Sequence, residues 1–179
     1  MQKLQLVYAP NAIFRKKALP VEVVNDRVRA LIDQMFEVLH IENGRGLGAN
    51  MVGLLERIVV IHMWERDKLL TYSMVNPEII EFSKETQVFE EASLSFPGIS
   101  AKITRPKHIK VKYLDYNGNQ QILEADNFLS TVIQHEIDYL DGKIFLDYLS
   151  KIKRDMLINK MKKYIKNYPP HIHTPFCSH

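Results

Sequence analysis

Gln134-His135-Glu136-Ile137-Asp138-Tyr139-Leu140-Asp141-Gly142 is the stretch on which the reading of this chain turns. It closes an apolar period over residues 127–140, with Asn127 as candidate N-cap and Asp141-Gly142 as the stop, so a helix is expected. On that helix His135 and Tyr139, four residues apart, share a face, and Glu136 sits about 100° around from His135. A histidine at 139 would complete two imidazoles for one metal, with the glutamate beside them as general base. The residue is tyrosine. By spacing alone this is half a metal motif, and a lone His beside a Glu on a helix is more often a structural hydrogen-bonded pair.

Working outward, Val28, Leu31, Ile32, Met35, Phe36 and Leu39 recur at helical spacing and predict an amphipathic helix over 26–40, started by Asn25 and Asp26. After the glycine-rich Gly44-Arg45-Gly46-Leu47-Gly48, the run Ile58-Val59-Val60-Ile61 reads as a buried strand. Short strands are expected at 70–75, 79–83, 86–90, 109–114 and 120–124, with Asn117-Gly118 as a hairpin turn. A third helix is expected over about 151–167, ending before Pro169-Pro170. Helix, many short strands, helix, helix is an α+β order, not alternating βαβ units. One domain over 1–167 is expected, with 168–179 a loosely held tail.

The chain of 179 residues is 46% hydrophobic, enough for one core. No apolar run approaches the roughly 20 residues of a membrane span. The start, Met1 to Leu6, has no signal-peptide pattern, and the single Cys177 allows no disulfide within the chain. A cytoplasmic protein is expected, with no membrane or DNA partner. Residues 44–48 are not a phosphate loop, since they lack the Gly-Lys-Ser/Thr ending and precede a strand. The net charge of +3 is mild, but Lys151, Lys153, Arg154, Lys160, Lys162, Lys163 and Lys166 face a single acid, Asp155, over 151–166. That helix is read as a solvated face or as a phosphate-contacting one.

The flanks of the central stretch carry a resemblance. Gln134-His135-Glu136 through Gly142, followed by Ile144-Phe145, resembles the third motif of peptide deformylases, metallohydrolases that remove the formyl group from N-terminal methionine. Gly44 to Gly53 resembles the first motif of that family, and Glu90-Glu91-Ala92-Ser93-Leu94-Ser95-Phe96-Pro97-Gly98 the second. Lesser echoes lie at Asn76-Pro77-Glu78 and through Arg105–Gly118, in order over roughly 3–165. The resemblance implies a deformylase-like fold: short antiparallel strands around a central motif helix, plus a C-terminal helix.

It also implies a site. The three metal-ligand positions fall on Ser93, His135 and Tyr139, of which only His135 is of the family's type. The general base falls on Glu136 and the oxyanion-holding backbone N–H on Leu94, both retained, while the oxyanion glutamine falls on Met51, which cannot donate. Gly48 stands where the motif has alanine, and Ala92 where it has glycine. A catalytic divalent ion takes about three protein ligands and a water, and neutral serine and tyrosine hydroxyls are poor substitutes for thiolate and imidazole. The family uses Fe2+ or Zn2+, but no cofactor is expected here. Ser93, His135 and Tyr139 are expected to form an internal polar network, and the chain to persist as a module binding peptide N-termini or the ribosome. Two alternatives stand beside that reading. One is residual metal-dependent deformylation, with His171, His173, Cys177 or His179 lending ligands. The other is a metal-free Ser93/His135 hydrolase.

Overall fold

The structure is a computed structural model and describes residues 3–170. Helix α1, Asp26–Ile41, is followed by β1 (Gly46–Gly48), β2 (Ile58–Glu65), β3 (Lys68–Phe82), β4 (Thr86–Ser93), β5 (Phe96–Pro106), β6 (Ile109–Leu114) and β7 (Gln120–Ala125). Helices α2, Asn127–Leu140, and α3, Lys151–Asn167, follow. The strands form an antiparallel five-stranded sheet in the order β1-β2-β3-β6-β7 and a separate β4-β5 hairpin. The expected α+β, deformylase-like arrangement is the one observed.

The buried run at 58–61 is a strand because both its faces are covered. Ile58 and Val60 enter one hydrophobic cluster with α1, whereas Val59, Ile61 and Met63 enter a second with the apolar side of α2. Helix α1 buries Val28, Leu31, Ile32, Met35, Val38 and Leu39, and the Asn25 side chain caps it by accepting from the Val28 N–H. Helix α2 runs between the sheet and the β4-β5 hairpin, which is why all its residues from Leu129 to Ile137 are buried. Gly46 makes the close approach possible: a Cβ there would lie 2.9 Å from Glu136 Oε1 and 3.0 Å from Val132 Cγ1.

Several local expectations are corrected. The segments 70–75 and 79–83 are one strand, β3, with a register shift between Val75 and Glu78 where Asn76 takes a φ of 53°. The 86–90 strand continues to Ser93 and pairs with β5, a strand the sequence reading did not foresee because Pro97-Gly98 looked like punctuation. Asn127 is not the N-cap of α2. It enters at a φ of 49°, Asp126 holds the extended cap position without a side-chain bond, and Glu65 Oε1 accepts from the N–H groups of Phe128 (3.0 Å) and Leu129 (3.2 Å). No helix among the described residues is long and apolar enough to cross a membrane. The tail histidines and Cys177 lie outside the described residues.

Candidate functional site

Between β1, the β4-β5 hairpin and α2 lies a cleft of about 430 Å³. Met51, Ser93, Leu94, His135 and Glu136 all line it, together with Gly44, Arg45, Gly46, Val132 and Phe128. The structure thus gathers five of the six residues singled out from sequence. Tyr139 is the exception.

Tyr139 is fully buried and does not line the cleft. Its ring lies 6.1 Å from those of both Phe14 and Phe96 and 4.6 Å from that of His135, so it is an aromatic core residue. Burial pushes its phenol well above the ordinary value, against a moderating Ser93 hydroxyl, and the group is neutral. Its Oη nevertheless has no hydrogen-bond partner among the described residues. Of the expected Ser93–His135–Tyr139 network, the Ser93 hydroxyl acts on the Tyr139 phenol, whereas His135 turns to Glu91. Ser93 Oγ also accepts from the Ser95 N–H at 3.3 Å, and His135 Nδ1 bonds Glu91 Oε2 at 2.8 Å.

Glu91 was not singled out from sequence, yet it organises the site. Its carboxylate receives Arg105 Nε at 2.6 Å and Nη2 at 3.0 Å, and Arg105 Nη1 also bonds Asp138 at 2.8 Å. Burial drives Glu91 upward, but His135 and Arg105 outweigh it and hold the carboxyl below its ordinary range. Its signal was its place in the second motif. A buried acid beside a metal-type histidine needs a cation, and Arg105 supplies it. Glu136 is moved the other way: burial raises it, although His135 and the Gly48 backbone N–H pull it down. Its Oε2 and Asn50 Oδ1 have no hydrogen-bond partner among the described residues. A Cβ on Gly48 would meet them at 3.6 and 2.9 Å respectively.

A family model described as polypeptide deformylase matches residues 3–155. The chain belongs to the peptide deformylase family. It is 59% identical over 175 residues to a protein of Rickettsia conorii named peptide deformylase-like, covering 98% of this chain and 96% of that one. It is 40% identical to the peptide deformylase of Rickettsia akari, covering 93% and 99% of the two chains. The crystal structure of the Ehrlichia chaffeensis peptide deformylase matches with a TM-score of 0.88 at 40% identity, covering 93% of this chain and 98% of that one.

Family membership corrects one expectation. The reading that no cofactor belongs here does not stand, because the family is one of metal-dependent hydrolases that use Fe2+ or Zn2+. The residues now at the ligand positions are nonetheless a poor set for such an ion. Ser93 offers a neutral hydroxyl, Tyr139 a neutral phenol outside the cleft, and only His135 an imidazole. Among the described residues no three His, Cys, Asp or Glu side chains are grouped to hold a metal.

Proposed function

We propose that this chain keeps the family's cleft for a formylated peptide N-terminus and has lost most of the hydrolysis, acting in the cytoplasm as a binding protein. The observation that carries the reading is the placement of Tyr139 in the aromatic core instead of at the cleft wall. In the family the bound ion polarises the formyl oxygen and activates water. The chain's own contributions are the Leu94 N–H, at the family's oxyanion position on the cleft wall, and the Glu136 carboxyl, at the general-base position. Met51 occupies the place of an oxyanion donor with a thioether that donates nothing, a loss that in other enzymes costs about 100-fold or more in turnover. The exposed basic helix α3 is proposed to meet ribosomal phosphate, a role that needs no catalysis.

The test compares binding with turnover on one formyl-methionyl peptide. Saturable binding is expected by calorimetry, with kcat/KM at least about 100-fold below that of the 40%-identical relative assayed alongside. Turnover equal to that of the relative would remove the reading, and so would failure to bind the peptide at all.

A further inference from the structure

We propose that His40 and His62 form a surface site for a borderline divalent ion of the Cu2+, Zn2+ and Ni2+ class, outside the cleft and outside the family's motifs. The inference goes beyond peptide recognition and does not depend on it.

Three observations support it. His40 stands in the last turn of α1 and His62 in β2, and the packing of these two elements brings their ring centres to 4.6 Å. Two imidazoles bound to one ion at about 2.0–2.1 Å, with bonds roughly 90–110° apart, have ring centres about 4.5–5.2 Å apart. The observed spacing is that of a ligand pair. The 83° between the ring planes is no obstacle, because a ring can turn about its bond to the ion. Next, Thr71 stands opposite His62 in the β2-β3 register, with its Oγ1 2.9 Å from His62 Nδ1. With the Nδ1 hydrogen in that bond, the Nε2 lone pair is left for an ion, as in metal-binding histidines generally. Finally, His62 Nε2 and both ring nitrogens of His40 have no hydrogen-bond partner among the described residues. His40 is exposed, and the Phe36 ring one turn earlier stacks beside it at 6.3 Å and 25°. Aiming a His40 nitrogen at the common point takes a rotation about χ2, which is soft for histidine and leaves the ring centre nearly in place.

Imidazole suits Zn2+, Cu2+ and Ni2+, and Cu2+ binds most tightly in the divalent series. No third His, Cys, Asp or Glu is grouped with the pair among the described residues, so water completes the coordination and the ion is held without a catalytic ligand set. Its effect is mechanical. An ion at this point ties the end of α1 to β2 and closes off the connection from α1 to β1, where the Arg45 C=O already accepts from the His62 N–H at 2.9 Å. Asn43, Gly44 and Arg45 of that connection line the cleft, so occupancy stiffens one of its walls. The unfolded chain does not hold the two rings together, so the ion also favours the folded state.

Trp64 is the single tryptophan of the chain and lies two residues from His62 on the same face of β2, so bound Cu2+ should quench its fluorescence. Titration of the full chain with Cu2+ is expected to give saturable quenching. His40→Ala and His62→Ala should each weaken that binding about 100-fold, because only the pair gains from a second ligand held close. Thr71→Val should weaken it about 10-fold, and Thr71→Ser should keep it. His171→Ala/His173→Ala should leave the quenching unchanged. Zn2+ should raise the melting temperature of wild type more than that of His40→Ala. Should His62→Ala fail to fold by circular dichroism, the comparison of wild type with the exposed His40→Ala still decides. Absence of saturable quenching, or quenching undiminished in His40→Ala or Thr71→Val, would overturn the proposal. Peptide binding can fail without touching this result.

Discussion

Tyr139 shows how one substitution reorganises a site. A histidine at this helix position would turn a ring nitrogen toward its neighbours, but the larger phenol ring is accommodated by Phe14 and Phe96, and its hydroxyl ends without a partner. An unpartnered buried hydroxyl is a standing cost of about 1–3 kcal/mol. Tyr139→Phe is therefore expected to raise stability by about 1 kcal/mol in urea unfolding, and a loss of that size would mean the hydroxyl is bonded after all. Met51, Ser93, Leu94, His135 and Glu136 were legible from sequence because each sits inside a recognisable motif. Glu91 and Arg105 were less so. Their pairing depends on β5 folding back on β4, and that strand was hidden by its proline and glycine. The burial of Tyr139 was not legible either, since spacing places a side chain on a helix face without saying what that face meets.

Among the elements, α2 and the turn after it depend on carboxylates from distant or neighbouring segments. Glu65, at the end of β2, supplies the cap that Asn127 was expected to give, a contact invisible to local sequence because 63 positions separate it from Phe128. Asp147 does similar work after α2. It accepts from the Ile144 N–H at 2.9 Å and from Arg15 at 2.6 and 3.0 Å, tying the turn at Phe145–Tyr148 to the one at Ala12–Arg15. Burial raises Asp147, but Arg15 and the Ile144 N–H outweigh it and hold it below its ordinary value of 3.8. A depressed folded pKa contributes stability that is present above the unfolded value and is lost as pH falls through the folded one. Because Arg15 is half exposed, Asp147→Asn is expected to cost only about 1 kcal/mol at neutral pH. That difference from wild type should shrink as pH falls below about 4 and disappear as pH falls through the lowered folded pKa. Melting temperatures across that range check it, and a gap constant with pH would mean that packing, not charge, holds the turn.

For the whole molecule, the architecture was read well because helix and strand periods alternate clearly and each helix is buried on one side or throughout. What the charge pattern alone leaves open is the purpose of α3. Its basic side chains stand out in solvent beside Ile152, 84% exposed, and Met156, 60% exposed, while Leu157 and Met161 anchor the opposite face. Gly98, at a φ of +77°, lets the Tyr164 ring of α3 pack directly over β5, so the helix is fixed as part of the domain. Weak co-sedimentation with ribosomes at low salt is expected, falling steeply as ionic strength rises. Absence of association at low salt would discard that role.

The proposed retention of the peptide cleft and the proposed loss of hydrolysis are tested together by restoring the site. Wild type is compared with Ser93→Cys/Tyr139→His/Met51→Gln, each supplied with ferrous, nickel or zinc ions and assayed on a formyl-methionyl peptide. The expected result is little or no turnover in wild type, whereas the triple variant gains metal to about one ion per chain and its kcat/KM rises at least about 100-fold. Robust deformylation by the wild-type chain would contradict the loss of hydrolysis, and a folded, metal-loaded triple variant without activity would contradict retention of the peptide cleft.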